Sequence, residues 1–283
     1  MTVVRDRPDR CPGALRPWPA EDGLLVRLRL IGGRVNAASL LSLAELAERF
    51  GDGRVRVTGR ANLQVRGLPG VGGRLADEVL AALDGTGLLP STSHELVRNV
   101  MMSPLTGISG GRGDLRPLAA ELDALLCAIP NLAELPARFL FVLDDGRGDL
   151  VDRGCDLGLV ALDERVGQVR VGDSWGEVIP LPSAASHLIR LAETFLRARG
   201  VGPTAAWHVV ELGQPLAPTS VADPRLPAPA EPMPFGAVPG GEHVPVPETG
   251  LDLAVAATLA GRADTLVVTP WRGILIPDEG SHV

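Results

Sequence analysis

The chain of 283 residues contains no lysine and no tyrosine. Apart from histidine, every side-chain cation is therefore an arginine, which we read first as an Ala/Arg/Gly/Pro-rich coding bias. Acidic residues outnumber basic ones, and the net charge of −7 opposes a general nucleic-acid role. Any anion site must be a local cluster. Cysteine is scarce: Cys11, Cys127 and Cys155 lie far apart, with no CxxC pair and no Cys/His cluster at metal-ligand spacing. The sequence cannot assemble a four-cysteine centre by itself, and reduced thiols are expected. No apolar run is long enough to span a bilayer, and the start, MTVVRDRPDRCPG, has no signal-peptide core, so a cytoplasmic protein without a membrane partner is the expectation.

What is present centres on residues 54–67, RVRVTGRANLQVRG. Val55, Val57, Leu63 and Val65 are spaced as strand residues on either side of Thr58-Gly59, which predicts two short strands meeting at a turn. Alternation then sends Arg54 and Arg56 to the face opposite the valines. Arg60 and Arg66 lie in the same stretch. Guanidinium forks grip carboxylates and phosphates, each charge-assisted bond contributing roughly 1.5–3 kcal/mol. A solvated strand face is the plainer reading, and the pattern leaves both open.

Around this stretch the chain reads as an extended arm over 1–22, a strand over 24–30 carrying Arg27 and Arg29 on one face, and a helix from an Asn36 N-cap to about Phe50. A second helix is expected over 73–83, so the first hundred residues predict an α+β unit with one sheet face free. Residues 90–111 form a Gly/Ser-rich loop ending in an extended run, with Arg98 and Asn99 as side-chain donors and no phosphate-loop ending. Helices are predicted over 115–127 and 183–199, a buried strand from Arg138 through FLFVLDD, and a hairpin over 157–171. Asp144, Asp145, Asp149 and Asp152 follow that strand among glycines and read as turn residues, with cation binding as the alternative. The five histidines have no partners at ligand spacing, and Trp175, Trp207 and Trp271 read as packing residues. Ten prolines between 215 and 247 predict a linker without helix or central strand.

After that linker, residues 252–277 repeat the order of 36–67: helix, Gly-containing break, strand, turn, strand. Val57-Thr58 corresponds to Val268-Thr269 and Leu63 to Ile274. Arg56 and Arg60 correspond to Val267 and Trp271, so the anion-facing character is not duplicated.

This arrangement resembles the nitrite/sulfite reductase superfamily, and within it the precorrin-3B synthase branch. The residues carrying the resemblance are CPGALRPWPAEDGLLVRLRLIGG (11–33), RVTGRANLQVRG (56–67), VRNVMMSPLTG (97–107), LPARFLFVLDDGRGD (135–149) and TPWRGILIP (269–277). It implies an α+β fold in which ferredoxin-like half-domains flank a mixed α/β catalytic-type domain. The expected division is a half-domain at 1–88, a tetrapyrrole-binding domain at 89–211, the Pro-rich linker at 212–248 and an incomplete second half-domain at 249–283.

By the same resemblance, a polycarboxylate tetrapyrrole is held by Arg27, Arg56, Arg60 and Arg98, with Gln64 and Asn99 as companion donors. Arg138 matches a lysine of sulfite reductases, and the second lysine of that pair is Leu140 here. The implied activity is oxygen-dependent hydroxylation and lactone formation on precorrin-3A, with NAD(P)H as reductant and electrons passing through a four-iron four-sulfur cluster. The three cysteines match none of the family's four cluster ligands, so a second polypeptide carrying them is expected. The alternatives are a sirohaem-dependent sulfite or nitrite reductase-like protein, or a non-catalytic tetrapyrrole-binding fragment. No residue stands out as a catalytic acid, base or nucleophile.

Overall fold

The structure is a computed structural model that describes Asp9 and residues 11–278. Of the arm expected over 1–22, residues 1–8 and Arg10 lie outside the described residues, as does His282. In chain order the elements are β1 (Trp18–Ala20), β2 (Gly23–Leu28), β3 (Arg34–Asn36), α1 (Ala37–Phe50), β4 (Arg56–Val57), β5 (Leu63–Leu68), β6 (Gly70–Val71), β7 (Arg74–Leu75) and α2 (Asp77–Gly85). These are followed by β8 (Val100–Met102), α3 (Arg116–Ala128), β9 (Phe141–Asp144), β10 (Leu157–Ala161), β11 (Val166–Val171), β12 (Ser174–Pro180) and α4 (Ala184–Ala198). The last elements are β13 (Gly236–Val238), β14 (Gly241–Pro245), α5 (Leu253–Ala260), β15 (Thr265–Val268) and β16 (Gly273–Pro277). No helix among the described residues is long and apolar enough to cross a membrane.

The chain divides into two units, each folded around its own core. Residues 11–96 and 233–278 form the first, so the two stretches expected as separate half-domains share one unit and one hydrophobic core. Asn36 caps α1 as the sequence predicts, its Oδ1 accepting the Ala38 N–H at 2.8 Å, while Asp252 caps α5 by accepting the Val255 N–H at 2.9 Å. The two helices pack on one another. One sheet has the order β1-β2-β5-β4 and the other β13-β14-β16-β15-β3.

These sheets are two copies of one pattern, and they exchange backbone. β3 of the first copy pairs antiparallel with β15 of the second, Leu266 opposite Val35. In return, Val55 bridges Leu251, with N–H to O distances of 2.9 and 2.8 Å. The second copy therefore begins at β13, inside the segment expected to be a linker. β14 is a central strand there, paired with both β13 and β16. Its prolines do not prevent this, because Pro239 lies in the turn between β13 and β14 and Pro245 closes β14, leaving residues 241–244 free to form the ladder.

Residues 97–232, with Asp9, form the second unit. Its sheet has the order β12-β11-β10-β9-β8, parallel between β8, β9 and β10 and antiparallel from β10 to β12. β9 and β10 are buried along their whole length, as their near-continuous apolarity requires. The rings of Phe139, Phe141 and Phe195 meet with centroids 5.3 and 4.9 Å apart. The Pro-rich residues up to 232 stay with this unit. There Gln168 holds Val221 and Asp223 through hydrogen bonds of 2.9 and 2.8 Å.

Candidate functional site

The predicted hairpin forms, and its turn is built by Thr58. The Thr58 N–H donates to the Asn62 carbonyl at 2.9 Å, its Oγ1 accepts the Asn62 N–H at 3.2 Å, and its carbonyl accepts the Ala61 N–H at 3.0 Å. Ala61 takes the left-handed conformation, at φ 54°. The second copy repeats this atom for atom. Thr269 makes the corresponding bonds to Gly273 and Arg272 at 2.9, 3.2 and 3.3 Å, and Arg272 stands at φ 60° where the first copy has Ala61. The repeat read from sequence is a repeat of backbone geometry.

Side-chain alternation across the first sheet buries Val26, Val57, Leu63 and Val65 and leaves Arg27, Gln64 and Arg56 half-buried. Strand register places these three side by side: Arg27 is opposite Gln64 on β2 and β5, and Arg56 is opposite Gln64 on β4 and β5. Arg27 Nη2 donates to Gln64 Oε1 at 3.3 Å. Arg56 Nη2 is held by Asp52 at 2.7 Å, whereas its Nη1 is buried with no hydrogen-bond partner among the described residues. Leaving a buried donor unpaired costs about 1–3 kcal/mol, more when it is charged.

The same row in the second copy has the opposite character. His243, Leu275 and Val267 occupy it, and all three are buried. His243 is closed in by Phe235 and Trp271, with ring centroids 4.5 and 6.3 Å away, and its nitrogens meet the Pro234 carbonyl at 3.0 Å and Thr269 Oγ1 at 2.9 Å. Burial pushes its pKa down.

The remaining arginines of this unit have other roles. Arg54 pairs with Asp252 at 3.0 Å and Arg66 with Asp22 at 3.1 Å. Arg29 is buried and donates to the Pro12 carbonyl at 3.2 Å. Arg60 lies in the 58–62 turn, off the row. Glu95, which the sequence did not single out, is buried and accepts the Ala14 and Leu15 N–H groups at 2.7 and 2.8 Å, fixing the CPGAL motif.

The second unit carries the other three predicted residues. Arg98 closes its fork on Asp123, Nε to Oδ1 at 2.7 Å and Nη2 to Oδ2 at 2.8 Å, with 8% of the arginine side chain exposed. Asn99 is buried, its Nδ2 donating to the Ala137 carbonyl at 3.0 Å and its own carbonyl accepting the Phe141 N–H at 2.9 Å. Arg138 is 48% exposed, 3.6 Å from Asp9 and 5.5 Å from the centroid of the Trp207 ring. Leu140 donates its N–H to buried Asp156 at 2.9 Å.

The acidic cluster is a braced turn. Asp144 accepts the N–H groups of Gly146, Gly148 and Leu150 at 2.8, 3.0 and 2.9 Å, and Asp145 grips Arg147. Asp149 accepts the Ser103 hydroxyl at 2.6 Å, and burial together with the Asp144 charge pushes its pKa up to about 7. These three carboxylates approach within 4.8 Å of one another, without Asp152. No cysteine joins such a group among the described residues. Burial raises the Cys155 thiol to about 11, which makes it a poor thiolate donor. The cysteines present do not fit an iron–sulfur cluster.

Residues 18–83 match the nitrite/sulfite reductase ferredoxin-like half domain. A precorrin-3B synthase of Sinorhizobium sp. is 28% identical over 215 residues, covering 74% of this chain and 41% of that protein. Ferredoxin–nitrite reductases of Leptolyngbya laminosa and Synechococcus elongatus are each 30% identical, over 43% and 45% of this chain and 25% and 26% of those proteins. The chain thus spans less than half the length of the curated relatives it matches. The structure of Mycobacterium tuberculosis NirA protein superposes with a TM-score of 0.68 at 18% identity, over 98% of this chain and 58% of that one. Residues 18–83 thus carry a nitrite/sulfite reductase ferredoxin-like half domain, and the chain is similar in sequence to oxidoreductases, a precorrin-3B synthase among them, and in fold to NirA.

Proposed function

We propose that this chain binds a polycarboxylate tetrapyrrole and contributes the substrate seat of a precorrin-3B synthase-like oxidoreductase. The observation that carries the reading is the Arg27–Gln64–Arg56 row, with a buried guanidinium N–H of Arg56 that has no partner among the described residues. A ligand carboxylate would accept that N–H and offset its desolvation. The row exists in one copy of a repeated sheet and is replaced by His243, Leu275 and Val267 in the other, so the sheet does not need it to fold. Arg60 at the turn, and Arg98, Asn99 and Arg138 of the other unit, are proposed contacts on family resemblance alone.

The reaction proposed for the complete enzyme is hydroxylation of precorrin-3A with lactone closure by one of its carboxylate side chains. One atom of dioxygen enters the ring and the other leaves as water, with two electrons drawn from NAD(P)H. The cluster expected to carry those electrons requires cysteines from polypeptide outside these 283 residues, and we propose a partner chain as their source. The second reading, a sirohaem-dependent sulfite or nitrite reductase-like protein, has relatives that align with a shorter part of the chain.

Fluorescence titration with uroporphyrin, a stable porphyrin bearing carboxylates around its rim, tests the seat. Arg27→Ala and Arg56→Ala should each weaken binding about tenfold, the effect of removing one charge-assisted bond. Wild-type affinity in both variants would refute the assignment. Sirohaem that co-purifies with the chain and resists displacement by uroporphyrin would favour the second reading.

A further inference from the structure

Asp52 poses a problem for an anion site. Its carboxylate lies 2.7 Å from Arg56, and a negative charge beside the anchor opposes the binding of any carboxylate ligand. Yet Asp52 is fixed in place more firmly than a surface ion pair requires. Its N–H donates to the Arg66 carbonyl at 3.1 Å, and its Oδ1 accepts the Arg54 N–H at 3.2 Å. The flanking Gly51 and Gly53 N–H groups both donate to the Ala47 carbonyl at the end of α1, each at 2.9 Å. Gly67, at φ +70°, leaves the close approach open: a Cβ there would stand 3.1 Å from the Asp52 nitrogen. Helix end, turn and β5 therefore hold one carboxylate against one edge of Arg56.

The second copy supplies an internal comparison. The Val57–Val268 correspondence aligns Arg56 with Val267 and Asp52 with Ala263. Both members of the pair are missing together, while helix, turn and strands are retained.

From this geometry, and resting on the tetrapyrrole reading above, we infer that Asp52 is a positioning residue, which grips the Nη2 edge of Arg56 and fixes its guanidinium in the row for a ligand carboxylate. A guanidinium held on one side loses less rotamer freedom when its other side binds, and that gain outweighs the added negative charge. The sign of the effect separates this from simple electrostatics. Deleting an acid beside an anion site strengthens binding if charge alone matters, and weakens it if orientation matters.

The test is uroporphyrin affinity of the full chain for wild type, Asp52→Ala, Asp52→Glu, Arg56→Ala and the Asp52→Ala/Arg56→Ala double variant. Asp52→Ala should weaken binding about fivefold, and in the Arg56→Ala background the same change should do nothing, because the two residues act as a unit. Asp52→Glu should restore part of the affinity. Tighter or unchanged binding by Asp52→Ala, with Arg56→Ala still weak, would overturn the inference and leave the tetrapyrrole reading standing. So would a loss that persists in the Arg56→Ala background, since it would come from the turn instead of the guanidinium. A wild-type chain that does not bind, or an Arg56→Ala variant that binds normally, would remove the tetrapyrrole reading itself.

Discussion

Replacing Arg98 with alanine should damage stability before it damages ligand binding. Both carboxylate oxygens of Asp123 receive a donor from this guanidinium, at 2.7 and 2.8 Å, and the arginine side chain is 8% exposed. Removing one partner of a buried pair leaves the other charge uncompensated, at about 3–5 kcal/mol. Asp123 is 22% exposed and can recover some hydration, so we expect the lower end, about 3 kcal/mol. A loss of that size should lower the melting temperature of a unit this large by about 6–12 °C. Exchanging both partners in Arg98→Met/Asp123→Leu should recover most of it, because that variant buries no orphaned charge. Urea titration of wild type, the single variants and the double variant gives the coupling energy directly. A cost below about 0.5 kcal/mol for Arg98→Ala, together with loss of uroporphyrin binding, would show that the fork is available to ligand and refute the argument.

Three further outcomes follow from other parts of the chain. His243 is buried neutral with a lowered pKa, so its contribution to stability is complete above its unfolded value near 6.5 and is lost as pH falls through the lower folded value. Thermal melts should therefore decline from pH 7 toward pH 5, and His243→Gln should flatten that decline; an unchanged slope would count against the burial argument. Asp149 runs the other way: its pKa is raised to about 7, so its contribution is fullest below the ordinary carboxylate value and disappears as pH rises to 7. Asp149→Asn should raise stability at pH 8 by on the order of 1 kcal/mol and have no effect near pH 4, measured by denaturant midpoint. Arg272→Gly should stabilise by about 0.5–1 kcal/mol, since glycine adopts φ 60° without the Cβ penalty and the Glu248 contact at 3.4 Å is exposed; destabilisation in a thermal melt would refute this.

Short-range chemistry was the legible part of the sequence. The Asn36 cap, the alternation through Val55 to Val65, the Thr58 turn and α4 each announce themselves within a few residues, and each formed as read. β14 did not, because Gly241 and Pro245 bound a ladder of ordinary residues and the surrounding prolines mask it. β8 is three residues inside a Gly/Ser-rich stretch, too short to show a period, and β12 carries two residues that disfavour strands, Gly176 and Pro180. Site residues were visible by type and invisible by partner. The arginines stand out in a chain without lysine, but Arg98 meets Asp123 from 25 positions away and Arg54 meets Asp252 from 198, distances over which local pattern carries no information.

The repeated sheet bears on the two readings that the sequence leaves open at its centre, a solvated arginine face and a built anion seat. A merely solvated face would have its guanidinium groups in water. In the first copy the row is half-buried, cross-linked from Arg27 to Gln64 and anchored from Arg56 to Asp52, so its geometry is specified. In the second, the same positions are packed shut around His243 by Phe235 and Trp271. One backbone thus supports a buried row centred on His243 and a half-buried cationic one, and the first costs less because both ring nitrogens of His243 have partners. The half-buried cationic row carries the desolvation cost of Arg56 Nη1, the cost that the proposed anionic ligand would offset.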